Sequence, residues 1–239
     1  MSAGYLFERY TEAFWDKCHG NLESDPAARG YGAWYHDSLP EERDAPILDV
    51  GCGTGEFLAF LQASGYSQIE GLDISLQQVE RARQLLSCPV HQGEPESFLR
   101  DRQGHYRLIT LNDVLEHIPK HETMRFLKTL RGGLSQDGIL VVSVPQVAGF
   151  SSMYTRYNDF THHLVFTELS LEYALRLSGF SEVRFVQEQW PWKCTPRHLS
   201  YRLARWCWFK ILKFIYFIEM PWQKPPVNWQ NRIVAVARP

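Results

Sequence analysis

Pro46-Ile47-Leu48-Asp49-Val50-Gly51-Cys52-Gly53-Thr54-Gly55-Glu56 reads as a buried strand that runs into a glycine-rich turn and then a helix. The apolar run Ile47–Val50 suits a short central strand, and Glu56-Phe57-Leu58-Ala59-Phe60-Leu61 opens the helix. Gly51, Gly53 and Gly55 let the backbone turn tightly and approach a ligand that any side chain would push away. A second strand, Ser67–Leu72, ends in Asp73, an acid placed to accept hydrogen bonds from both hydroxyls of a ribose. The pattern therefore predicts a site for a nucleoside-containing cofactor.

The spacing discriminates between cofactors. A dinucleotide fingerprint is G-x-G-x-x-G and seats a pyrophosphate at the helix N-terminus. This chain has G-x-G-x-G preceded by Asp49, whose carboxylate is awkward beside a pyrophosphate and helpful beside an ammonium or sulfonium group. That favours S-adenosylmethionine over NAD.

Strand and helix signals alternate around this turn. Strand 45–50 leads to helix 55–64, and strand 67–73 to helix 75–87. A short strand near Val90 precedes Gly93-Glu94 and a helix over 95–101; strand 106–111, helix 120–133 and strand 138–144 follow. Helix 168–178, strand 181–188 and a last strand over 231–238 complete the series. Such alternation predicts a parallel sheet covered by helices on both faces, with ligands beyond the carboxyl ends of the strands. Ahead of it, Tyr5, Leu6, Tyr10, Phe14 and Trp15 fall largely on one side of a helix over 5–15, and 27–37 reads as a second short helix.

Taken together, Asp49-Val-Gly-Cys-Gly-Thr-Gly55, Asp73, Gly93-Glu94 and Asn112-Asp113-Val-Leu-Glu116-His117 resemble the class I S-adenosylmethionine-dependent methyltransferases. The likeness covers about residues 45–190, with four motifs in the family's order. It implies a Rossmann-like, doubly wound, mostly parallel seven-stranded sheet whose last strand is antiparallel. It also implies roles. Asp49, Gly51, Cys52, Gly53 and Gly55 would lie against the methionine portion of the cofactor, and Asp73 would hold the ribose. Ile74 would meet the adenine, with Gly93 and Glu94 near its amino group; many members have Asp where this chain has Glu94. Asn112 would contact the methionine portion, and Asp113 is a further cofactor-binding candidate towards the methyl end. N-terminal helices often cover the cofactor in such proteins. The implied organisation is a helical cap over 1–44, a cofactor-binding domain over 45–190 and 229–239, and an insertion over 191–228.

At 239 residues, with 44% hydrophobic and 14% aromatic content, the chain suits one α/β domain with decoration. Cys18, Cys52, Cys88, Cys194 and Cys207 form no C-x-x-C pair, which argues against a zinc site or a disulfide framework. The first residues lack a basic segment followed by an apolar core, so the expected compartment is the cytoplasm. Net charge is −2, but residues 184–239 hold ten Lys/Arg against two acids, leaving the remainder at −10. An acidic catalytic part argues against a nucleic-acid partner; the basic C-terminal part suits a local anionic one.

Within the insertion, residues 197–219 gather His198, Arg202, Arg205, Lys210 and Lys213 on one arc of a helix, with Trp, Phe, Ile, Leu and Tyr elsewhere. Uncharged runs there are far shorter than the ~20 residues a bilayer crossing needs. The pattern fits an interfacial helix, peripheral on the inner face of the cytoplasmic membrane, with Trp206, Trp208 and Trp222 at headgroup level. A packed helix, a subunit interface or a lid over the substrate fits it too.

Two clusters carry the candidate chemistry. Asp113, Glu116 and His117 share a face if they lie on one helical turn. Asp159-Phe-Thr-His162-His163 follows the fifth strand and approaches the same edge. In one reading His162 or His163, with Asp159, is a general base. In the other, Asp113, Glu116, His117 and His162 bind Mg²⁺ or another divalent cation that acidifies a sugar diol. That arrangement is similar to metal-dependent small-RNA 2′-O-methyltransferases and some quinone-ring O-methyltransferases, whose motif usually begins with Glu rather than Asp113. The run Arg156–His163, with Phe166-Thr-Glu-Leu-Ser170 and Ser178-Gly179-Phe180, resembles methyltransferases of bacterial polysaccharide and lipid-linked glycan synthesis. The expected acceptor is thus a hydroxyl of a glycan or lipid-linked sugar, faced by Tyr154, Tyr157, Trp190 and Trp192. The rivals are a lipophilic aromatic such as a quinone precursor, and a non-catalytic, cofactor-binding regulatory protein.

Overall fold

A computed structural model describes residues 30–149, 152–187 and 195–239, and its side chains there except Thr155 and Arg197. The expected helix over 5–15, and Trp190 and Trp192, lie outside the described residues. Seven strands form one sheet: β1 Ile47–Val50, β2 Ile69–Asp73, β3 Val90–Gln92, β4 Tyr106–Asn112, β5 Leu134–Pro145, β6 Glu182–Phe185 and β7 Arg232–Arg238. Their order is β3-β2-β1-β4-β5-β7-β6. Neighbours from β3 to β5 run parallel, while β7 runs antiparallel to both β5 and β6. The Rossmann-like sheet with an antiparallel last strand is as the family resemblance implies.

The apolar run that marks β1 is needed because both of its faces are covered. Ile47, Leu48, Asp49 and Val50 are all buried, as continuous apolar strands of parallel sheets are. Eight helices form among the described residues: α1 Tyr31–Tyr35, α2 Glu56–Ala63, α3 Leu76–Leu85, α4 Pro95–Phe98, α5 Thr123–Gly133, α6 Ser152–Asn158, α7 Glu168–Leu177 and α8 Pro196–Glu219. Caps set the starts of two of them. Ser75 accepts from the Gln78 amide ahead of α3, and Thr167 forms a reciprocal box with Ser170 ahead of α7. The two apolar layers lie on opposite faces of the sheet, one around Leu48, Leu111 and Val142, the other around Ile47, Leu58 and Val141.

Three local features depart from the sequence reading. Strand β5 begins at Leu134 rather than near 138, because α5 feeds straight into it and Leu134 already pairs with Tyr106 before a bulge. Helix α6 escapes the sequence pattern because its Tyr, Thr and Asn content carries no clear apolar stripe. Residues 115–117 form a single 3₁₀ turn, and Asp113 stands outside it with a left-handed φ of 55°. Asp113 therefore does not share a helical face with Glu116 and His117.

Candidate active site

The turn after β1 folds back onto the end of β2. The Gly51 amide donates to the Leu72 carbonyl at 2.7 Å, and the Gly53 amide donates to Asp73 Oδ2 at 2.9 Å. Asp73 Oδ1 also accepts from the Ser75 amide at 2.8 Å, so its carboxylate is fixed from two sides. The fit is close at Gly51: its φ is +69°, and a Cβ there would come within 2.3 Å of Val114 Cγ2. Around these residues opens a cavity of about 1130 Å³ along the carboxyl edge of β1, β2 and β4. Asp49, Gly51, Cys52, Gly53, Asp73, Ile74, Gly93, Glu94, Asn112 and Asp113 line it. Gly55 does not; a Cβ on it would meet Leu86 Cδ1 at 2.4 Å, so its role is helix packing rather than ligand contact. The Cys52 side chain likewise turns into the core beneath Gly71, and burial pushes its thiol up.

Asp49 sits at the bottom of the cavity, fully buried. Its Oδ1 accepts from Thr110 Oγ1 at 2.6 Å and from Asn112 Nδ2 at 3.3 Å. The Asn112 carbonyl oxygen in turn accepts from the Tyr35 hydroxyl. Burial pushes the Asp49 carboxyl up to about 7, against the two hydrogen bonds, which pull it down. An acid poised there gains stability from a cationic ligand. Tyr35, Thr110 and Gln78 are site residues that sequence reasoning missed. Tyr35 and Thr110 lie in apolar patterns that read as core; Gln78 lies on α3 at a position that reads as helix surface. The buried Gln78 Oε1 lines the cavity region with no hydrogen-bond partner among the described residues. These features fit S-adenosylmethionine: an acid for the ribose, a carboxylate for a cationic group, an orphan acceptor and bare backbone between them.

On the other side of β1, the edge of β4 carries the second cluster. Asp113 is drawn away by Arg232 at the start of β7, at 2.5 Å, while Arg232 Nη1 donates to Ser143 Oγ at 2.8 Å. Asp113 is not among the described residues grouped closely enough to share an ion, in contrast to the expected metal set. Glu116 is completely buried, and neither of its carboxylate oxygens has a hydrogen-bond partner among the described residues. Burial first, and the Asp113 charge second, hold its carboxyl well above the usual range. His162 Nε2 lies 3.7 Å from Asp159 Oδ2 and 3.9 Å from Glu116 Oε1. Thr161, another residue the sequence does not single out, donates to Asp159 at 2.6 Å and meets His117 Nδ1 at 2.8 Å. The His117 and His162 rings stand 4.7 Å apart, and burial, with the neighbouring His162, pushes His117 down to about 4. At neutral pH His117 is uncharged. Glu116, His117, Asp159 and His162 line the cavity. His163 is exposed and does not; its backbone amide bonds the Glu116 carbonyl instead, so of the two candidate bases only His162 faces the site.

One ligand atom from each of Glu116, His117 and His162 can lie within 4.8 Å of the others. Two imidazoles with one carboxylate suit an ion of the zinc or iron kind better than Mg²⁺, which prefers oxygen ligands.

A family model described as a methyltransferase domain matches residues 27–184. The chain belongs to that family, and it carries the class I S-adenosylmethionine-dependent methyltransferase fold. Its similarities run across several activities. It is 30% identical over 146 residues to a trans-aconitate 2-methyltransferase of Deinococcus radiodurans, covering 60% of this chain and 50% of that one. It is 27% identical over 139 residues to a ribosomal protein L11 methyltransferase of Burkholderia orbicola, covering 57% and 44%. The chain thus spans about half the length of the curated relatives it matches. A solved S-adenosylmethionine-dependent methyltransferase of Archaeoglobus fulgidus superposes with a TM-score of 0.67 at 19% identity, over 96% of this chain and 100% of that one.

Proposed function

We propose that the protein transfers a methyl group from S-adenosylmethionine to an acceptor hydroxyl, with His162 as the general base. The observation that carries this reading is the His162 imidazole on the cavity wall, held beside Asp159 and Glu116, across β1 from Asp73. The acceptor oxygen attacks the methyl carbon while the carbon–sulfur bond breaks, and sulfur keeps the electron pair. The acceptor proton passes to His162, and the carboxylate of Asp159 stabilises the imidazolium that forms. The acceptor we favour is a hydroxyl of a glycan or lipid-linked sugar. Its support is the run 156–163, which brings Asp159 and His162 to the cavity; the rings of Tyr154 and Tyr157 on α6 are exposed and lie outside the cavity lining. The rival acceptor is a quinone precursor.

A second reading has an observation of its own. The buried Glu116 carboxylate, without a hydrogen bond among the described residues, would hold a divalent cation together with His117 and His162. Such a cation, when bound, acidifies the acceptor hydroxyl.

Labelled S-adenosylmethionine offered with polyprenyl-linked sugars, catechols and trans-aconitate separates these cases. His162→Ala should lower turnover of a hydroxyl acceptor by about 10²–10⁴-fold while leaving cofactor affinity unchanged. Transfer only to trans-aconitate, unaffected by that change, would overturn the hydroxyl reading, since a carboxylate needs no base. Loss of activity on chelation, restored by Zn²⁺ or Fe²⁺, would favour the cation. If His162→Ala and Glu116→Ala leave every biological effect of the protein intact, it is a non-catalytic, cofactor-binding regulator.

A further inference from the structure

Helix α8 is built inside out. Over its 24 residues, about 36 Å, Leu212 is the one buried side chain among those described. Phe209, Tyr216, His198 and Arg205 are partly covered on the same side, and Tyr216 packs edge-on against Trp229 at 5.6 Å. The opposite side, which a surface helix ordinarily fills with polar residues, presents Leu199, Leu203, Trp206, Phe214, Phe217 and Ile218, each 58–67% exposed. Arg202 and Lys213 border this face and Lys210 lies within it, over the Trp206 ring at 5.3 Å. The sequence arc of five basic side chains is therefore split: His198 and Arg205 turn toward the body, while Arg202, Lys210 and Lys213 stay with the apolar face.

We infer that α8 lies flat on an anionic bilayer surface, with its outward apolar face among the acyl chains and its basic residues at the headgroups. This goes beyond methyl transfer and does not depend on it. Charge selects the occupant. The helix carries five Lys/Arg and one acid, a net +4, in a chain whose total is −2. Two copies of that helix face to face would oppose cation to cation, whereas an anionic lipid surface complements it. No helix among the described residues is long and apolar enough to cross a membrane, so the contact is interfacial. The docking has a consequence for the site. The chain returning from α8 is tied to the carboxyl edge of the sheet: Gln146 Nε2 donates to the Asn228 carbonyl at 2.7 Å, and Glu168 accepts from the Val227 and Asn228 amides. Asn231 and Arg232 then line the cavity. Adsorption through α8 holds the cavity near the lipid surface.

Flotation of the full chain with phosphatidylglycerol-containing vesicles tests this. The protein should float with them and stay behind with pure phosphatidylcholine. Changing Arg202, Lys210 and Lys213 together to Glu should weaken binding on the order of a hundredfold, since each basic residue near an anionic surface contributes a several-fold gain. Phe214→Ser with Phe217→Ser should weaken it as well, because the acyl anchor is lost. These side chains are exposed, so melting temperature should not move; where a variant misfolds, the wild-type result decides alone. A wild type that stays in solution with anionic vesicles overturns the inference. So does a dimer in solution that the Phe214 and Phe217 changes dissolve, for then a second copy covers this face.

Discussion

Under the proposed function, Asp49 couples cofactor binding to a proton. Its folded pKa of about 7 lies above the ordinary carboxylate value, so the native state holds a proton that the unfolded chain has already released. Its contribution to stability is thus largest at low pH and declines as pH rises from about 4 to about 7, levelling off above. Binding a sulfonium or ammonium group reverses the preference, because only the ionised acid attracts it. Affinity for S-adenosylmethionine should therefore rise roughly tenfold between about pH 6 and about pH 8, with a proton released on binding near the lower value. Calorimetry in two buffers of different ionisation heat measures that proton directly. Asp49→Asn should bind weakly at every pH and release none; an unchanged pH profile in that variant would assign the proton to another group.

At the scale of elements, the site depends on two turns meeting. The turn between β1 and α2 passes against the segment after β4, and the room between them is the missing side chain of Gly51. Gly51→Ala should cost about 2–4 kcal/mol, combining the left-handed backbone with a clash against Val114. Gly65 supplies the comparison: its φ is +88° but nothing lies within 4 Å of an added Cβ, so Gly65→Ala should cost only about 1–2 kcal/mol. Urea midpoints of the two variants measure the difference; equal midpoints would mean that Val114 moves aside. The half of the site built on such turns is legible in the sequence, because glycine spacing and strand-end acids are local signals. Asp49 and Asp73 can be read from them, whereas Asn112 follows from the resemblance alone. The other half is not. Asp113 is decided by Arg232, which lies 119 positions away in sequence, and Thr161 by a contact with His117 across 44. A local i, i+3, i+4 rule has no access to either partner. The same holds for Tyr35, whose hydroxyl bonds Asn112 although its neighbours read as ordinary core.

At the scale of the whole molecule, the sheet makes the cavity, and among the described residues α8 buries little of its own surface. The pairing of β6 with β7 and of β7 with β5 runs through backbone ladders that do not involve α8. Among the contacts of α8 with the body are the buried Leu212, the Tyr216–Trp229 edge contact and partly covered neighbours. Burying one leucine side chain contributes about 1.5–3 kcal/mol as an upper estimate, and an aromatic pair about 1 kcal/mol more. Closing a shorter loop offsets part of that loss, since the entropic cost of closing a loop grows with its length. Replacing residues 191–227 with a short Gly/Ser connection should thus leave the sheet folded, lower the melting temperature by no more than about 10 °C, and keep cofactor affinity within about threefold. Thermal melting followed by circular dichroism and calorimetric titration of S-adenosylhomocysteine give the two numbers. Vesicle binding should vanish in the same protein. If the shortened chain instead unfolds or loses its affinity for S-adenosylhomocysteine, the insertion is part of the cofactor-binding body rather than an appendage to it. In that case its outward apolar face would have to be explained together with the site.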